Sequence, residues 1–388
     1  MTTVRAAVLP RPGAATEIRA FAPPDLEPGA ALLHTLYSEV CGTDVHLRHG
    51  RLVGVPYPLI PGHVSVGVLA ALRGPLRDVE GRPFREGDVA AFLDVHGTCG
   101  ACWYCLVAKE STRCPHRRVY GITYGAEDGL LGGWAERIWI RPGVRLLRLP
   151  EGLSPEAYIG GGCGAVTAFH AVLRGGVRLG QTLVVLGTGP LGLSAIAFSV
   201  LAGADRVFAF GAPDERLRMG RRMGAAEAYS IETLTPADRL ETVRALTTGR
   251  GADVVIEAAG DPAAVAEGAG MCCDGGVLVV AGQYTDNGET ALNPHALINR
   301  KHLDIRGCWG SDFSHFHGAL ATMARHQERF PWRDLIGRWY RLDETDAALD
   351  AVEARALVKA GVVPNGGEPK PGSGPEVYGS ATGIRTPV

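Results

Sequence analysis

The sequence predicts an α/β protein in which a β-rich N-terminal part precedes a doubly wound domain built on a parallel sheet. Three observations lead to this prediction. Residues 1 to about 150 carry short alternating apolar segments broken by Pro and Gly, a pattern typical of strands. From about Gly160 onward, apolar runs alternate with helical patterns, as in βαβ units. A glycine-rich turn over residues 187–192 joins the first such run to the first such helix.

The N-terminal part is predicted to consist mostly of strands and turns. Its clearest alternating segments lie at residues 31–37 and 134–140, and no long amphipathic helix precedes residue 150. A sheet with alternating apolar positions buries one face, so these segments indicate the core of a first domain.

The second half predicts strands that alternate with helices. The predicted strands cover residues 182–186, 206–210, 252–258 and 276–281, and the predicted helices cover residues 191–201, 238–247 and 262–272. A last strand over 304–309 precedes a helix that is capped near Ser311 or Asp312 and runs through Met323. This alternation predicts a parallel sheet.

These elements predict two folded domains and a tail. The first domain covers residues 1–155 and is completed by residues 300–363, and the second covers residues 156–299. Residues 364–388 are rich in Gly, Pro and Ser. We expect this tail to remain disordered because it cannot bury enough apolar surface to fold.

Charge and hydropathy exclude several classes of function. The formal net charge is −2, so no basic excess points to nucleic acid. No apolar run is long enough to span a membrane, and the N-terminus lacks the apolar segment of a signal peptide. We therefore expect a cytoplasmic protein without a nucleic-acid or membrane partner. Because the cytosol keeps thiols reduced, its nine cysteines indicate metal ligation rather than disulfides.

Four of the cysteines stand close together, at Cys99, Cys102, Cys105 and Cys114. Four thiolates at such spacing can surround one tetrahedral Zn²⁺ and leave no open position, which makes a structural site. Two alternatives remain here: four unrelated buried thiols, or an iron–sulfur cluster, which also uses four thiolates at related spacings. Three further cysteines are interpreted as small buried hydrophobic residues: Cys272, Cys273 and Cys308.

A second candidate metal set is dispersed along the chain. Cys41 opens the segment Cys-Gly-Thr-Asp-Val-His, His63 follows Pro-Gly, and Cys163 lies between two glycines. Each residue alone is more typical of core or surface than of a ligand. Together they supply two sulfurs and one nitrogen, which is a catalytic zinc set with one position left for water or substrate.

The glycine-rich turn predicts a dinucleotide site because it follows a strand and opens a helix. Gly187 permits the tight turn, Gly189 lets the backbone approach the pyrophosphate, and Gly192 allows close packing of helix on strand. Pro190 and Leu191 begin the helix, whose N-terminus favours the phosphate charge.

With these motifs in this order, the chain resembles the zinc-dependent medium-chain alcohol dehydrogenases over about residues 4–363. The resemblance implies a β-rich GroES-like catalytic domain and a Rossmann domain that binds NAD(P). It also implies two zinc ions per chain. Cys41, His63 and Cys163 would hold the catalytic zinc, and the four-cysteine segment would hold the structural zinc. One departure is Val64, which stands where the family very often has Glu.

The resemblance also implies roles for residues around the catalytic zinc. The metal would lower the pKa of the alcohol oxygen as a Lewis acid, at a cleft between the two domains, while the nicotinamide accepts the hydride. Thr43 would begin a proton relay that ends at His46, which meets solvent. Asp44 would accept a hydrogen bond from the ring of His63. Thr167 matches a position that touches the nicotinamide.

The choice between NAD and NADP depends on the end of the second strand. An acid there usually holds the ribose hydroxyls of NAD, but the corresponding residue is Gly211. Its absence removes a repulsion against the 2′-phosphate, and Arg216 or Arg218 would supply positive charge, which favours NADP. The alternative is that Asp214 or Glu215 still faces the ribose.

The expected function is therefore hydride transfer between an alcohol (primary, secondary or polyol) and NAD(P), giving an aldehyde or ketone. Alternatives are a double-bond reductase on the same fold, a non-catalytic zinc-binding scaffold, and a zinc ribbon that binds nucleic acid. The resemblance further implies a homodimer or homotetramer, with the strand over 304–309 at the edge of its sheet. By the same resemblance, Val95, Trp134 and Trp309 would line or flank the substrate pocket.

Overall fold

A computed structural model describes residues 3–367. The chain divides into two compact units. Within the described part, the first contains residues 3–162, 312–327 and 332–367, and the second contains residues 163–311 and 328–331. Of the expected tail, residues 368–388 lie outside the described part.

Residues 4–175 form nine strands and three helices. The strands are β1 (Val4–Val8), β2 (Glu17–Phe21), β3 (Ala31–Val40), β4 (Ser65–Leu72), β5 (Val89–Phe92), β6 (Val95–His96), β7 (Arg118–Val119), β8 (Arg137–Ile140) and β9 (Leu146–Arg148). The helices are α1 (Gly42–Arg48), α2 (Trp103–Leu106) and α3 (Pro155–Gly175). The helices before residue 150 span only seven and four residues, as the sequence predicts for this part.

Residues 182–307 alternate strands with helices. The strands are β10 (Thr182–Leu186), β11 (Arg206–Gly211), β12 (Glu227–Ser230), β13 (Ala252–Glu257), β14 (Cys272–Val280) and β15 (Asp304–Gly307). The helices are α4 (Pro190–Leu201), α5 (Asp214–Arg222), α6 (Pro236–Leu246) and α7 (Pro262–Met271), and one π-helical turn covers His295–Asn299.

The chain then returns to the first unit. These elements are α8 (Phe313–His326), β16 (Ile336–Arg341), α9 (Thr345–Glu353) and β17 (Lys359–Val363). Short 3₁₀ turns lie at Ser111–Arg113, Ala126–Asp128, Trp332–Leu335 and Leu342–Glu344.

The first unit is built around a seven-stranded sheet in the order β16-β17-β3-β4-β5-β9, with β8 also paired to β3. Strand β17 runs antiparallel to β3, with Gly361 opposite Glu39. Helix α1 follows β3 and is tied to α9 by ion pairs, among them Arg48–Asp350 at 2.5 Å. The C-terminal segment thereby supports the strand and helix on either side of Cys41.

The second unit is built around a six-stranded parallel sheet in the order β12-β11-β10-β13-β14-β15. This order reverses direction beside β10, which is the doubly wound arrangement predicted from the sequence. Strand β10 is buried at every position, as expected for a parallel sheet covered on both faces. The fold class is therefore confirmed.

Strand β14 begins four residues earlier than the apolar run at 276–281 indicates. Cys272 already pairs with Ala252, and the register shifts before Val277 pairs with Val254. The irregularity contains Gly275 and Gly276. These glycines interrupt the apolar pattern, so the early start of the strand is not predicted from the sequence. The predicted helix near residue 312 begins at Phe313, with Asp312 as its N-cap.

None of the helices in the described part of the chain is long and apolar enough to cross a lipid bilayer.

Candidate metal and nucleotide sites

Cys41 lies at the junction of β3 and α1, where it is the N-cap residue of the helix. Asp44, in the first turn, accepts a hydrogen bond from the backbone N–H of Cys41 at 2.9 Å. It accepts a second, longer bond from the N–H of Gly62 at 3.4 Å. One buried carboxylate thus connects the two segments that carry Cys41 and His63.

The predicted hydrogen bond between Asp44 and the ring of His63 is wrong. The Nδ1 atom of His63 is buried and has no hydrogen-bond partner among the described residues. Its Nε2 atom instead faces Cys41 Sγ at 4.0 Å and Glu39 Oε1 at 3.5 Å. Asp44 is used by backbone N–H groups, because it sits at the third position of α1 and completes a capping box there.

Helix α3 is two helical segments that meet at a kink. Gly162 has φ +49° and ψ −143° there, a conformation that glycine adopts without a Cβ penalty. A Cβ at this position would overlap Glu39 Oε2 and Lys359 Nζ. Cys163 follows the kink directly.

The candidate ligand atoms come together. One ligand atom from each of Glu39, Cys41, His63 and Cys163 lies within 4.8 Å of the other three. Tetrahedral zinc has bonds of about 2.0–2.3 Å and so separates its ligand atoms by about 3.3–3.8 Å. The two distances from His63 Nε2 approach this range. The donor set therefore fits a divalent ion.

Glu39 was missed by the sequence argument. It lies in a strand that is otherwise apolar or hydroxyl-bearing over its last four residues, and its side chain is fully buried. A carboxylate within this buried stretch of strand could have indicated the site from sequence, since buried charges are paired or coordinate metals.

Negative charge concentrates at this group. Burial opposes protonation of His63, but Cys41 and Glu39 outweigh it and hold the His63 pKa well above its usual value. Burial, followed by the charge of Cys41, raises the pKa of Asp44 well above its usual value. The His63 shift therefore reflects the negative groups that surround its ring, whereas the Asp44 shift reflects chiefly the burial of its carboxyl group.

Thr43 and His46 both lie on α1, three residues apart, and both are half-buried. Residues at this spacing share one face of a helix. Burial, with help from the nearby Arg51 cation, lowers the pKa of His46 below its usual value. His46 is therefore neutral and able to accept a proton at neutral pH.

The four-cysteine segment folds around α2 and the turn before Cys114. The sulfur of Cys102 lies 3.6 Å from that of Cys105 and 4.0 Å from that of Cys114, and Cys114 lies 3.7 Å from Cys99. These separations match one tetrahedral ion with Zn–S bonds of about 2.3 Å. They are too short for sulfurs that surround a multi-iron cluster. The backbone N–H of Ala101 lowers the pKa of Cys99 to about 6, whereas burial and the neighbouring Cys102 raise the pKa of Cys105 to about 12.

The remaining cysteines, Cys272, Cys273 and Cys308, are buried, as predicted.

The glycine-rich turn requires glycine at two of its three positions and leaves open space at the third. Gly187 has φ +105°, and a Cβ there would lie 2.7 Å from the carbonyl oxygen of Ala258. A Cβ on Gly192 would overlap the carbonyl oxygen of Gly187. Gly189, the N-cap of α4, has open space where its Cβ would be. Pro190 and Leu191 form the first turn of that helix, so the cradle fits a phosphate-bearing ligand.

Gly211 ends β11 against the side chain of Thr188. A Cβ on Gly211 would overlap the Thr188 hydroxyl and methyl groups. Thr188 Oγ1 is buried and has no hydrogen-bond partner among the described residues. An orphaned hydroxyl beside the expected ribose position fits a nucleotide. Arg216 is half-buried on α5, whereas Arg218 is exposed and lies 3.5 Å from Glu215.

Of the residues expected to line or flank the pocket, Trp134 is fully buried in the core of the first unit, and its Nε1 donates to the Glu39 carbonyl at 3.0 Å. Trp309 is partly exposed and stacks on Tyr284. Val95 is half-buried in β6 and Thr167 is half-buried in α3.

Comparisons with known proteins identify the family. Residues 27–151 match the alcohol dehydrogenase GroES-like domain, and residues 190–325 match the zinc-binding dehydrogenase domain. The chain is 33% identical to 5-exo-hydroxycamphor dehydrogenase of Pseudomonas putida, over 86% of this chain and 92% of that protein. It is 32% identical to L-threonine 3-dehydrogenase of Bacillus subtilis, over 65% and 68% of the two chains.

Solved structures agree. An alcohol dehydrogenase from Thermotoga maritima superposes with a TM-score of 0.90 at 30% identity, covering 94% of this chain and all of that one. Together with the matched domains, this shows that the chain belongs to the zinc-dependent medium-chain alcohol dehydrogenases, which transfer a hydride between an alcohol and NAD(P).

Proposed function

We propose that this enzyme oxidises a secondary alcohol to a ketone, with one catalytic and one structural zinc in each chain. The observation that carries the proposal is the donor set around His63, which joins two thiols, an imidazole and a carboxylate within 4.8 Å. A second, all-thiol set fits a closed structural site. Double-bond reductases and inert scaffolds do not require the first set.

The catalytic ion would be held by Cys41, His63 and Cys163. When bound, zinc supplies a Lewis acid for the alcohol oxygen, and the nicotinamide supplies the hydride acceptor. Asp44 keeps the Cys41 and His63 segments in register through its two backbone hydrogen bonds. A site ordered in this way needs little rearrangement when substrate arrives.

Proton removal is assigned to Thr43 and His46. The Thr43 hydroxyl would take the proton from the alcohol while it gives up its own proton, and His46 would take up a proton at the end of the relay that meets solvent. The lowered pKa of His46 keeps its ring neutral and ready to accept.

The cofactor site contains Gly187, Gly189, Pro190, Leu191 and Gly192 at the phosphates. Thr167 would contact the nicotinamide. NADP is favoured over NAD because Gly211 offers no carboxylate, and Arg216 on the next helix supplies positive charge.

The names of two relatives support the proposed substrate class. 5-exo-Hydroxycamphor and L-threonine, named for two similar enzymes, both carry the hydroxyl on a secondary carbon. The nine cysteines form no disulfide among the described residues, which supports a reducing compartment, the cytoplasm. The β15 edge supports a homodimer or homotetramer.

The test is the formation of reduced cofactor at 340 nm with matched alcohols. We expect kcat/KM for cyclohexanol and 2-butanol to exceed that for 1-butanol at least tenfold, and Cys163→Ala to abolish turnover without unfolding the protein. Cys308→Ala, at a buried cysteine outside both metal sets, serves as the control. Equal rates with primary alcohols would contradict the substrate class. Turnover that survives in Cys163→Ala would contradict the zinc mechanism.

A further inference from the structure

Glu39 is a buried carboxylate whose two oxygens face different partners. Oε2 accepts a hydrogen bond from Lys359 Nζ at 2.5 Å, and Oε1 lies 3.5 Å from His63 Nε2. Both Glu39 and Lys359 are fully buried. Burying an ion pair costs desolvation energy that the pair often fails to recover. Stability alone is therefore a weak reason for placing these charges here.

Lys359 also donates hydrogen bonds to the backbone just before the kink of α3. Its Nζ donates to the carbonyl oxygens of Ile159 at 3.3 Å and Gly161 at 3.1 Å. These are carbonyls at the C-terminal end of the first helical segment, where a cation is favoured. The ammonium thus fixes one Glu39 oxygen and the backbone immediately before Cys163.

The other Glu39 oxygen is placed to share a metal ion with His63 when His63 ligates zinc. A ligating Nε2 carries no proton, so it can no longer donate to Glu39. Two lone pairs 3.5 Å apart in a buried site repel unless they share a positive ion. The separation is close to the ligand–ligand distance of about 3.3–3.8 Å in tetrahedral zinc.

The neighbouring strand β4 and the residue before it, Val64, carry no carboxylate that could bind the metal. Val64 follows His63 directly, and its carbonyl accepts a hydrogen bond from the backbone N–H of Glu39 at 3.2 Å. Glu39 therefore lies across the sheet from Val64. The acidic side chain reaches the metal group from β3 rather than from the His63 segment.

We propose that Glu39 is the fourth protein ligand of the catalytic zinc, through Oε1, and that Lys359 is the positioning residue that holds its carboxylate in place. This inference rests on the catalytic zinc of the proposed function. It assigns the coordination position left open by Cys41, His63 and Cys163. A carboxylate ligand is a harder donor than thiolate, and it is the member of the set that an alcohol oxygen would most readily replace.

The test is zinc and cobalt binding by the full-length protein. We expect Glu39→Gln to weaken zinc at this site at least about tenfold in competition with a chromophoric chelator. The visible d–d bands of the Co²⁺-substituted site should also change. The four-cysteine zinc is an internal reference that keeps its affinity. Glu156→Gln is the matched control, because Glu156 is equally buried but bonds Tyr37 at 3.0 Å.

A double variant separates ligation from structural pairing. If Glu39 only neutralises Lys359, then Glu39→Gln with Lys359→Met removes both charges and restores zinc affinity to that of the wild type. If Glu39 is a ligand, the double variant stays at least about tenfold weaker. Lys359→Met alone retains zinc but changes the Co²⁺ bands, because the Glu39 carboxylate has lost the ammonium that orients it. Wild-type protein that binds zinc only at the four cysteines would overturn the proposed function itself. Two wild-type zincs with an unchanged Glu39→Gln site would overturn only this inference.

Discussion

Thr43 and His46 occupy one face of α1, and the proposed relay predicts unequal effects of replacing them. Thr43→Ala should lower kcat by about 10²-fold or more, because no other group takes its place at the reacting oxygen. His46→Gln should lower kcat by about tenfold at most, since solvent partly replaces the terminal acceptor.

The pH profile gives the sign of the His46 contribution. Protonated His46 cannot accept, and its pKa is lowered by burial and Arg51. The wild-type rate should therefore fall only below the usual titration range of histidine, and His46→Gln should lack this inflection. His49→Gln is the control, because His49 is exposed and bonds Glu353 at 2.7 Å. Equal, small losses in both relay variants would show that protons leave by another route.

Gly211 and Thr188 together determine which cofactor the enzyme is expected to prefer. Wild type should prefer NADP in kcat/KM. Gly211→Asp should reverse the preference toward NAD by at least about tenfold, or 1.4 kcal/mol. The added Cβ would overlap Thr188, so the informative variant is Gly211→Asp with Thr188→Gly. Thr188→Gly alone is the control. A wild-type preference for NAD above about tenfold would contradict the assignment, and an unchanged ratio would mean that residue 211 does not face the ribose.

Residue types with strong chemical preferences were predictable from sequence, whereas pairings were not. The type and spacing of cysteine, histidine and glycine residues indicate metal and phosphate sites. The structure brings Cys41, His63 and Cys163 together. The predicted hydrogen bond from His63 to Asp44 was wrong because the position of Asp44 in the first turn of α1 directs its carboxylate to backbone N–H groups. Glu39 and Lys359 lie 320 positions apart, and only the pairing of β17 with β3 brings them together.

At the scale of elements, the segment around α2 depends on its four sulfurs. Trp103, Tyr104, Leu106 and Val107 are all exposed, so α2 buries little apolar surface. Metal binding supplies the missing stabilisation, because structural zinc couples to folding. Without the ion, the apolar side chains of this segment bury too little surface to stabilise its fold.

Cys102→Ser should accordingly reduce zinc from about two to about one ion per chain and lower the melting temperature by several degrees. Metal analysis and calorimetry on the same preparation measure both quantities. Cys272→Ser is the control, since it alters a buried cysteine outside the set and should retain both ions. Two zincs in Cys102→Ser would contradict the structural site.

Element positions were predictable where one physical rule dominates. Strand β10 is an unbroken apolar run and occupies the predicted residues 182–186. Helix α8 begins where the acidic cap indicates. The kink in α3 was not predictable, because Gly162 is required by the close approach of Glu39 and Lys359. Those contacts come from distant parts of the chain.

At the scale of the whole molecule, β15 is an edge strand of the six-stranded sheet. Its Ile305 side chain is 41% exposed. An exposed edge with an apolar side chain can pair with the same edge of a second copy, which continues the sheet across a two-fold axis. The arrangement favours a dimer, or a tetramer built from such dimers.

Light scattering should therefore give at least twice the chain mass of 40.9 kDa. Ile305→Lys should shift the protein toward the monomer, because a charge on an edge strand opposes pairing. Ile231→Lys is the matched control, since Ile231 is 44% exposed directly after β12 at the opposite edge. A wild-type monomer would contradict the assembly. Dissociation caused by Ile231→Lys, and not by Ile305→Lys, would place the interface at β12 instead.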